Sequence, residues 1–337
     1  MTPEFSLSRE IRKDGVIYHI GNNFSSGVSF CGRLEKTGSK TLFHYGHTKD
    51  HDLILGKNGS SRAAFCAETA DGVELKSVPA TTEDGGITPV FSFEKPDFLT
   101  NEEINFSGTV NGRSFNISDS SGNFALPEHP LAYGKNLLSL ICTTCDGVPL
   151  GEKAWDYPIA QIGVWQSLEL PVIQADAPDG KEVRARFRFT APKERVTLEM
   201  EIEDRFFFQP YRGFAMYMGD SIQFGIDPEC SASLNDLVDR KIWELGIAMT
   251  NSGCELVVYN HPGNRDGDIF RWEFSGRREG EKQFYTVAIP QEILPPGRIF
   301  GFNMIYNIND GSGRRGYLAW RNGIGDRKRS ADWGFVI

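Results

Sequence analysis

The chain has 337 residues, 39% of them hydrophobic and 12% aromatic, enough for folded cores in two or three domains rather than one. A net charge of -9 argues against general nucleic-acid or anionic-membrane binding, and no apolar run of membrane-spanning length occurs. Phe occurs 24 times and Gly 36 times, which favours strands and tight turns, while six cysteines in a chain this long do not make a disulfide scaffold.

In chain order, residues 1–86 read as a small β domain. Val16–Ile20, Gly27–Cys31, Thr41–Tyr45, Ala63–Ala67 and Val73–Ser77 are strand-like runs between Gly, Asn and Ser. His44, His47 and His51 cluster there, but Gly46 and the strand residues around them favour a solvated polar loop over a metal site. Residues 87–165 carry strand candidates at Val90–Phe93, Glu103–Val110, Ser114–Ile117, Asn123–Leu126 and Asn136–Thr144. Their order resembles bacterial immunoglobulin-like modules, which implies a spacer. Cys142 and Cys145 have redox or zinc spacing, yet they end a strand without a second pair. An odd separation puts them on opposite faces, so they read as two unlinked cysteines.

Residues 166–337 read as one further domain of strands: Val183–Phe189, Val196–Ile202, Ser221–Ile226, Ile242–Ile247, Glu255–Tyr259, Phe284–Ile289 and Phe300–Tyr306. Short turns of helix are expected at Ser233–Val238 and Gln291–Leu294. Phe300, Phe302, Met304 and Tyr306 alternate as in a half-buried strand. A polar Gly-rich turn and a second short strand ending on Trp320 follow it. The fold class expected for the whole chain is all-β, a multidomain series of β-sandwiches.

Four elements of this last domain resemble family 9 carbohydrate-binding modules, in the β-sandwich group that includes DOMON domains. They are Val196–Asp204, Gly219–Asp227, Tyr285–Pro290 with Glu292 and Leu294, and Gly301–Asp310 followed by Trp320. The resemblance implies a sugar held between two aromatic walls, matched here by Tyr217 and Trp320. Gln223 stands where the family carries Glu, Thr286 replaces another Glu, and Gln291 replaces a Trp. A sugar presents C–H faces to aromatic planes and hydroxyls to amides and guanidinium groups. Gln223, Asn303, Arg314 and Arg315 suit the rim. The excess of Arg314, Arg315, Arg321, Arg327, Lys328 and Arg329 over Asp326 is read in two ways: a charged loop compensated by acidic neighbours elsewhere, or a site for an anionic glycan held by bidentate guanidinium contacts.

The resemblance also implies structural calcium. Asn264, Asp266 and Asp268 alternate oxygen ligands, although Ile269 rules out an EF-hand; Asn307, Asn309 and Asp310 form a second oxygen cluster, and Asp204 and Asp227 are further candidates. No hydrolase, metalloprotease or phosphate-loop motif appears. The expected function is non-catalytic binding of a carbohydrate or polysaccharide. The alternative is a glycoside hydrolase or lyase, or an accessory subunit of one, with an unrecognised active site. A haem module of the DOMON type would need Met216, Met218 and His261 at axial spacing, which they lack. The expected location is extracellular or periplasmic, without a signal peptide in this chain. Neither a nucleic-acid partner nor membrane insertion is expected.

Overall fold

The computed structural model describes residues 6–13, 16–23, 28–37, 40–49, 74–94, 103–145, 149–173, 183–191, 195–232, 241–262, 272–325 and 328–337. Of the sequence expectations, the 63–67 strand, His51, the 233–238 helical turn and the Asn264–Asp268 cluster lie outside these residues. The chain divides into two compact units, 1–131 with 136–156, and 132–135 with 157–337. No described helix is long and apolar enough to cross a membrane.

In the first unit β1 (Ser6–Lys13), β2 (Val16–Asn23), β3 (Val28–Thr37) and β4 (Lys40–Lys49) form a four-stranded antiparallel sheet. β5 (Glu74–Thr81), β6 (Ile87–Glu94) and β9 (Asn123–Ala125) form a three-stranded sheet. β7 (Ile104–Val110) pairs with β8 (Arg113–Asp119) on one side and β10 (Gly134–Thr144) on the other. The alternate residues Phe91, Phe93, Phe106 and Phe124 are buried, with ring centroids 4.5–5.3 Å apart in their nearest pairs. Such tilted and offset aromatic packing makes a dense core between short strands. Cys142 is buried and Cys145 exposed, and both are free thiols; burial pushes the Cys142 thiol up to about 12.

β11 (Pro149–Ala160) carries the chain into the second unit, an all-β sandwich. One sheet runs β12 (Gln166–Ser167), β14 (Val183–Thr190), β15 (Thr197–Asp204), β20 (Lys282–Ala288), β19 (Glu273–Glu279). The other runs β18 (Gly253–Asn260), β17 (Trp243–Thr250), β16 (Ser221–Asp227), β21 (Phe300–Asn309). Beyond β21 it divides: β22 (Arg314–Ala319) pairs with Ile305–Asn309, and β23 (Gly334–Val336) with Phe300–Phe302. β13 (Leu170–Ile173) extends β22.

The inward face repeats every second residue, as the pleat requires. Ile222, Phe224 and Ile226 of β16 meet Phe300, Phe302, Met304 and Tyr306 of β21 and Phe187, Phe189, Leu198 and Met200 of the opposite sheet in one core. The fully buried Tyr306 hydroxyl donates 2.8 Å to Asp204 Oδ2, tying the end of β15 to β21 across the sandwich. Burial first, and the nearby Asp220 and Asp204 charges after it, push the Tyr306 hydroxyl well above the ordinary tyrosine range.

Candidate functional site

Pleat parity sends the remaining residues of β16, β17, β21 and β22 to the outer face of their sheet. Gln223 lies opposite Gly246 on β17 and Ile305 on β21. Gly225 lies opposite Glu244 and Asn303, and Asn307 lies opposite Ser221 and Tyr317. Two glycines make room for aromatic cover. A Cβ on Gly225 would stand 2.1 Å from the Trp333 ring, and one on Gly246 would stand 2.6 Å from the Tyr259 ring. Glycine in mid-strand commonly marks such a close approach. Trp333 joins Ile242, Ile305, Tyr317, Ala319 and Ile324 in a small apolar cluster on this face.

Between the two aromatic covers lies a polar network. Asn307 Nδ2 donates to Gln223 Oε1 and to Ser221 Oγ, each at 3.1 Å, and Gln223 Nε2 stands 3.5 Å from Glu244 Oε1. Lys328 donates to the same, nearly buried, Glu244 carboxylate. Arg314 Nε donates 3.0 Å to Asn307 Oδ1, and its guanidinium carbon stands 5.3 Å from the Tyr317 ring centroid. Arg314 is half-buried, and burial lowers its pKa, opposed by the neighbouring Tyr317 and Tyr217. Among the described residues it forms no ion pair. A desolvated guanidinium held by one amide and one phenol ring keeps its outer N–H donors for something else.

Tyr217 sits on a 3-10 turn, Gly213–Met218, and is 41% exposed. Asn309 fixes that turn to β21: its Nδ2 donates 2.6 Å to the Met218 carbonyl, and its own N–H donates 2.6 Å to Asp220 Oδ1. Phe214 of the same turn stands 6.0 Å from the Tyr259 ring. The Tyr259 hydroxyl is buried near the Tyr217 backbone, and burial first, with the Glu244 charge second, raises its pKa.

Of the residues expected from the sequence, the structure therefore brings together Tyr217, Gln223 and Arg314. It places the others elsewhere. Trp320 is only 8% exposed and packs edge-on to Phe187 at 5.1 Å inside the sandwich, so it is a core residue and not a wall of the site. Asn303 spends its Nδ2 on the carbonyls of Arg321 and Asn322 and its Oδ1 on the Arg321 N–H, which pins the 321–325 loop. Arg315 is paired with Asp310 at 2.8 Å. Glu244 and Tyr259 were not anticipated from the sequence, Lys328 was expected only as part of the basic excess, and Asn307 only as an oxygen ligand. The signal for Asn307 is its shared parity with Asn303 and Asn309. For Glu244 it is one carboxylate inside the apolar run 242–247.

Asn309 and Asp310 do not fit calcium. The Asp310 carboxylate accepts from the Ser312 hydroxyl and N–H and from Arg315, which hold its pKa down to about 2. Asn309 Oδ1 accepts the Gly311 N–H at 2.8 Å. Asp204 accepts from Tyr306 and the Phe206 N–H, and Asp227 from Ser231 and the Ala232 N–H. Among the described residues no three His, Cys, Asp or Glu side chains group as a metal set.

No family model matches the sequence, and no curated protein matches it. Among solved structures, the chain is similar to a carbohydrate-binding module of family 9 from Caldicellulosiruptor kristjanssonii in complex with glucose. That match has 16% identity and a TM-score of 0.39, over 53% of this chain and 94% of that one. It is also similar to a family 9 module from the same organism in complex with cellotriose, at 14% identity and a TM-score of 0.39, over 53% of this chain and 91% of that one.

Proposed function

We propose that the second unit binds carbohydrate on the outer face of the β16–β21 sheet, and that its ligand is an anionic glycan with a uronic-acid or sulfated residue. The single observation that carries this is Arg314: a half-buried guanidinium, without a carboxylate partner among the described residues, beside the Asn307 and Gln223 amides and near the exposed Tyr217. A ligand carboxylate would take its free N–H groups as a bidentate pair. The exposed Tyr217 ring offers a plane for the C–H face of the sugar. The four sequence elements that resemble family 9 modules support carbohydrate as the ligand class; its charge rests on Arg314 alone.

The chemistry favours holding over breaking. Glycoside hydrolysis needs two carboxylates poised across a bond, whereas Glu244 is nearly buried and tied to Lys328. A lyase needs a base that gives up its proton near neutrality, whereas burial and the Glu244 charge shift the Tyr259 hydroxyl the opposite way.

Isothermal titration with oligogalacturonates and with neutral cello-oligosaccharides across a salt series tests the reading. Binding should be confined to the acidic series and should weaken several-fold between low and high salt, as screening reduces the guanidinium contribution. Binding to neutral sugars alone, or affinity indifferent to salt, contradicts it.

A further inference from the structure

The loop from Arg205 to Gly219 presents more apolar surface than the sandwich beneath it requires. Phe206 is 59% exposed, Phe208 40%, Phe214 68%, Tyr217 41% and Met218 40%. Large apolar side chains grouped on one exposed loop mark an interaction site more often than scattered ones do. Nor is the loop a slack connection. Gln209 is buried and staples it from within, donating 2.9 Å to the Met216 carbonyl and 3.0 Å to the Asp220 carbonyl, and accepting the Tyr211 N–H. Met216 is fully buried beneath it. Phe208 and Asp220 exchange two hydrogen bonds, the Phe208 N–H to Asp220 Oδ2 and the Asp220 N–H to the Phe208 carbonyl. A Cβ on Gly219 would collide with Gln209, so the staple also explains why glycine stands there. The rings are therefore displayed on a fixed frame, which lowers the ordering cost of binding.

Cations are interleaved with the rings. Arg205 stands 5.4 Å from the Phe206 ring centroid, and Arg278 stands 4.8 Å from that of Phe207. At the far end the loop reaches the site just described: the Met218 carbonyl accepts from Asn309 of β21, and Phe214 approaches Tyr259.

We infer that the 205–218 loop is an extended subsite on which further residues of an acidic polysaccharide chain lie beyond the sugar held at Arg314. The inference rests on the binding reading above and deepens it: the ligand is a chain several sugars long, not a terminal unit. Flat rings suit the C–H faces of successive sugars, and the interleaved guanidinium groups suit their charges.

The test is titration of the full chain with oligogalacturonates from monomer to hexamer, in the native sequence, in Phe206→Ala/Phe208→Ala and in Phe206→Tyr/Phe208→Tyr. In the native sequence affinity should rise by at least about tenfold with length, two stacked rings sufficing for that factor. The alanine pair should bind the monomer as before and lose the gain, and the tyrosine pair should keep it. A native affinity independent of length overturns the extended subsite alone, as does a gain that survives the alanine pair. So does an alanine pair whose only loss is in vesicle binding, single-stranded DNA binding or self-association. Absence of monomer and hexamer binding alike in the native chain overturns the underlying reading as well.

Discussion

Arg314→Ala is expected to weaken binding of an acidic oligosaccharide by about 10- to 150-fold, the equivalent of about 1.5–3 kcal/mol for hydrogen bonds to a charged group. The direction follows from the environment of the guanidinium. It donates through Nε to Asn307, leans over Tyr317 and has no carboxylate among the described residues. A ligand anion would therefore supply the partner that the fold does not. The same argument separates binding from folding. Removing a half-buried unpaired cation relieves a desolvation cost, so thermal stability should hold or rise slightly. Arg314→Lys should recover only part of the affinity, because an ammonium cannot offer the planar fork. Titration calorimetry and a thermal melt on the same samples check both halves. Unchanged affinity with unchanged stability would remove Arg314 from the site.

Trp320→Ala is expected to cost about 3–5 kcal/mol of stability, the usual range for emptying a large aromatic from a core. Trp320 touches Phe187 and Phe302, and its ring fills the space beside Gly334. The cavity would open between both sheets. Chemical denaturation followed by near-ultraviolet circular dichroism gives the measure. Tyr217→Ala is the control: at 41% exposure it should change stability by less than about 1 kcal/mol while reducing sugar affinity. A Trp320→Ala protein of native stability that binds no sugar would return Trp320 to the site.

The difference between these two aromatics shows what the sequence could convey. The inward faces of β16 and β21 were legible because five alternate residues of β21, from Phe300 to Ile308, are apolar and all buried. Such a period survives any loop arrangement. Trp320 is expected in the site from the resemblance and from the arginines and asparagines around it, and parity contradicts that expectation. Leu318 packs against the core, and Trp320, two residues on, shares its face. β19 was missed because it is an edge strand with mostly exposed residues, so nothing alternates along it. The turn at 213–218 has one buried anchor, Met216, and therefore no helical period. Arg314 and Arg315 are adjacent in sequence and identical in type. Only the fold shows that one is neutralised by Asp310 and the other is not.

The most direct measurement is a crystal structure of the protein soaked with digalacturonate. The expected result is a sugar carboxylate within hydrogen-bond distance of the Arg314 guanidinium, with the ring against Tyr217. A sugar bound anywhere else on the molecule, such as the groove of roughly 350 Å³ between Arg184, Arg186, Glu201 and Lys282 on the opposite sheet, would contradict it.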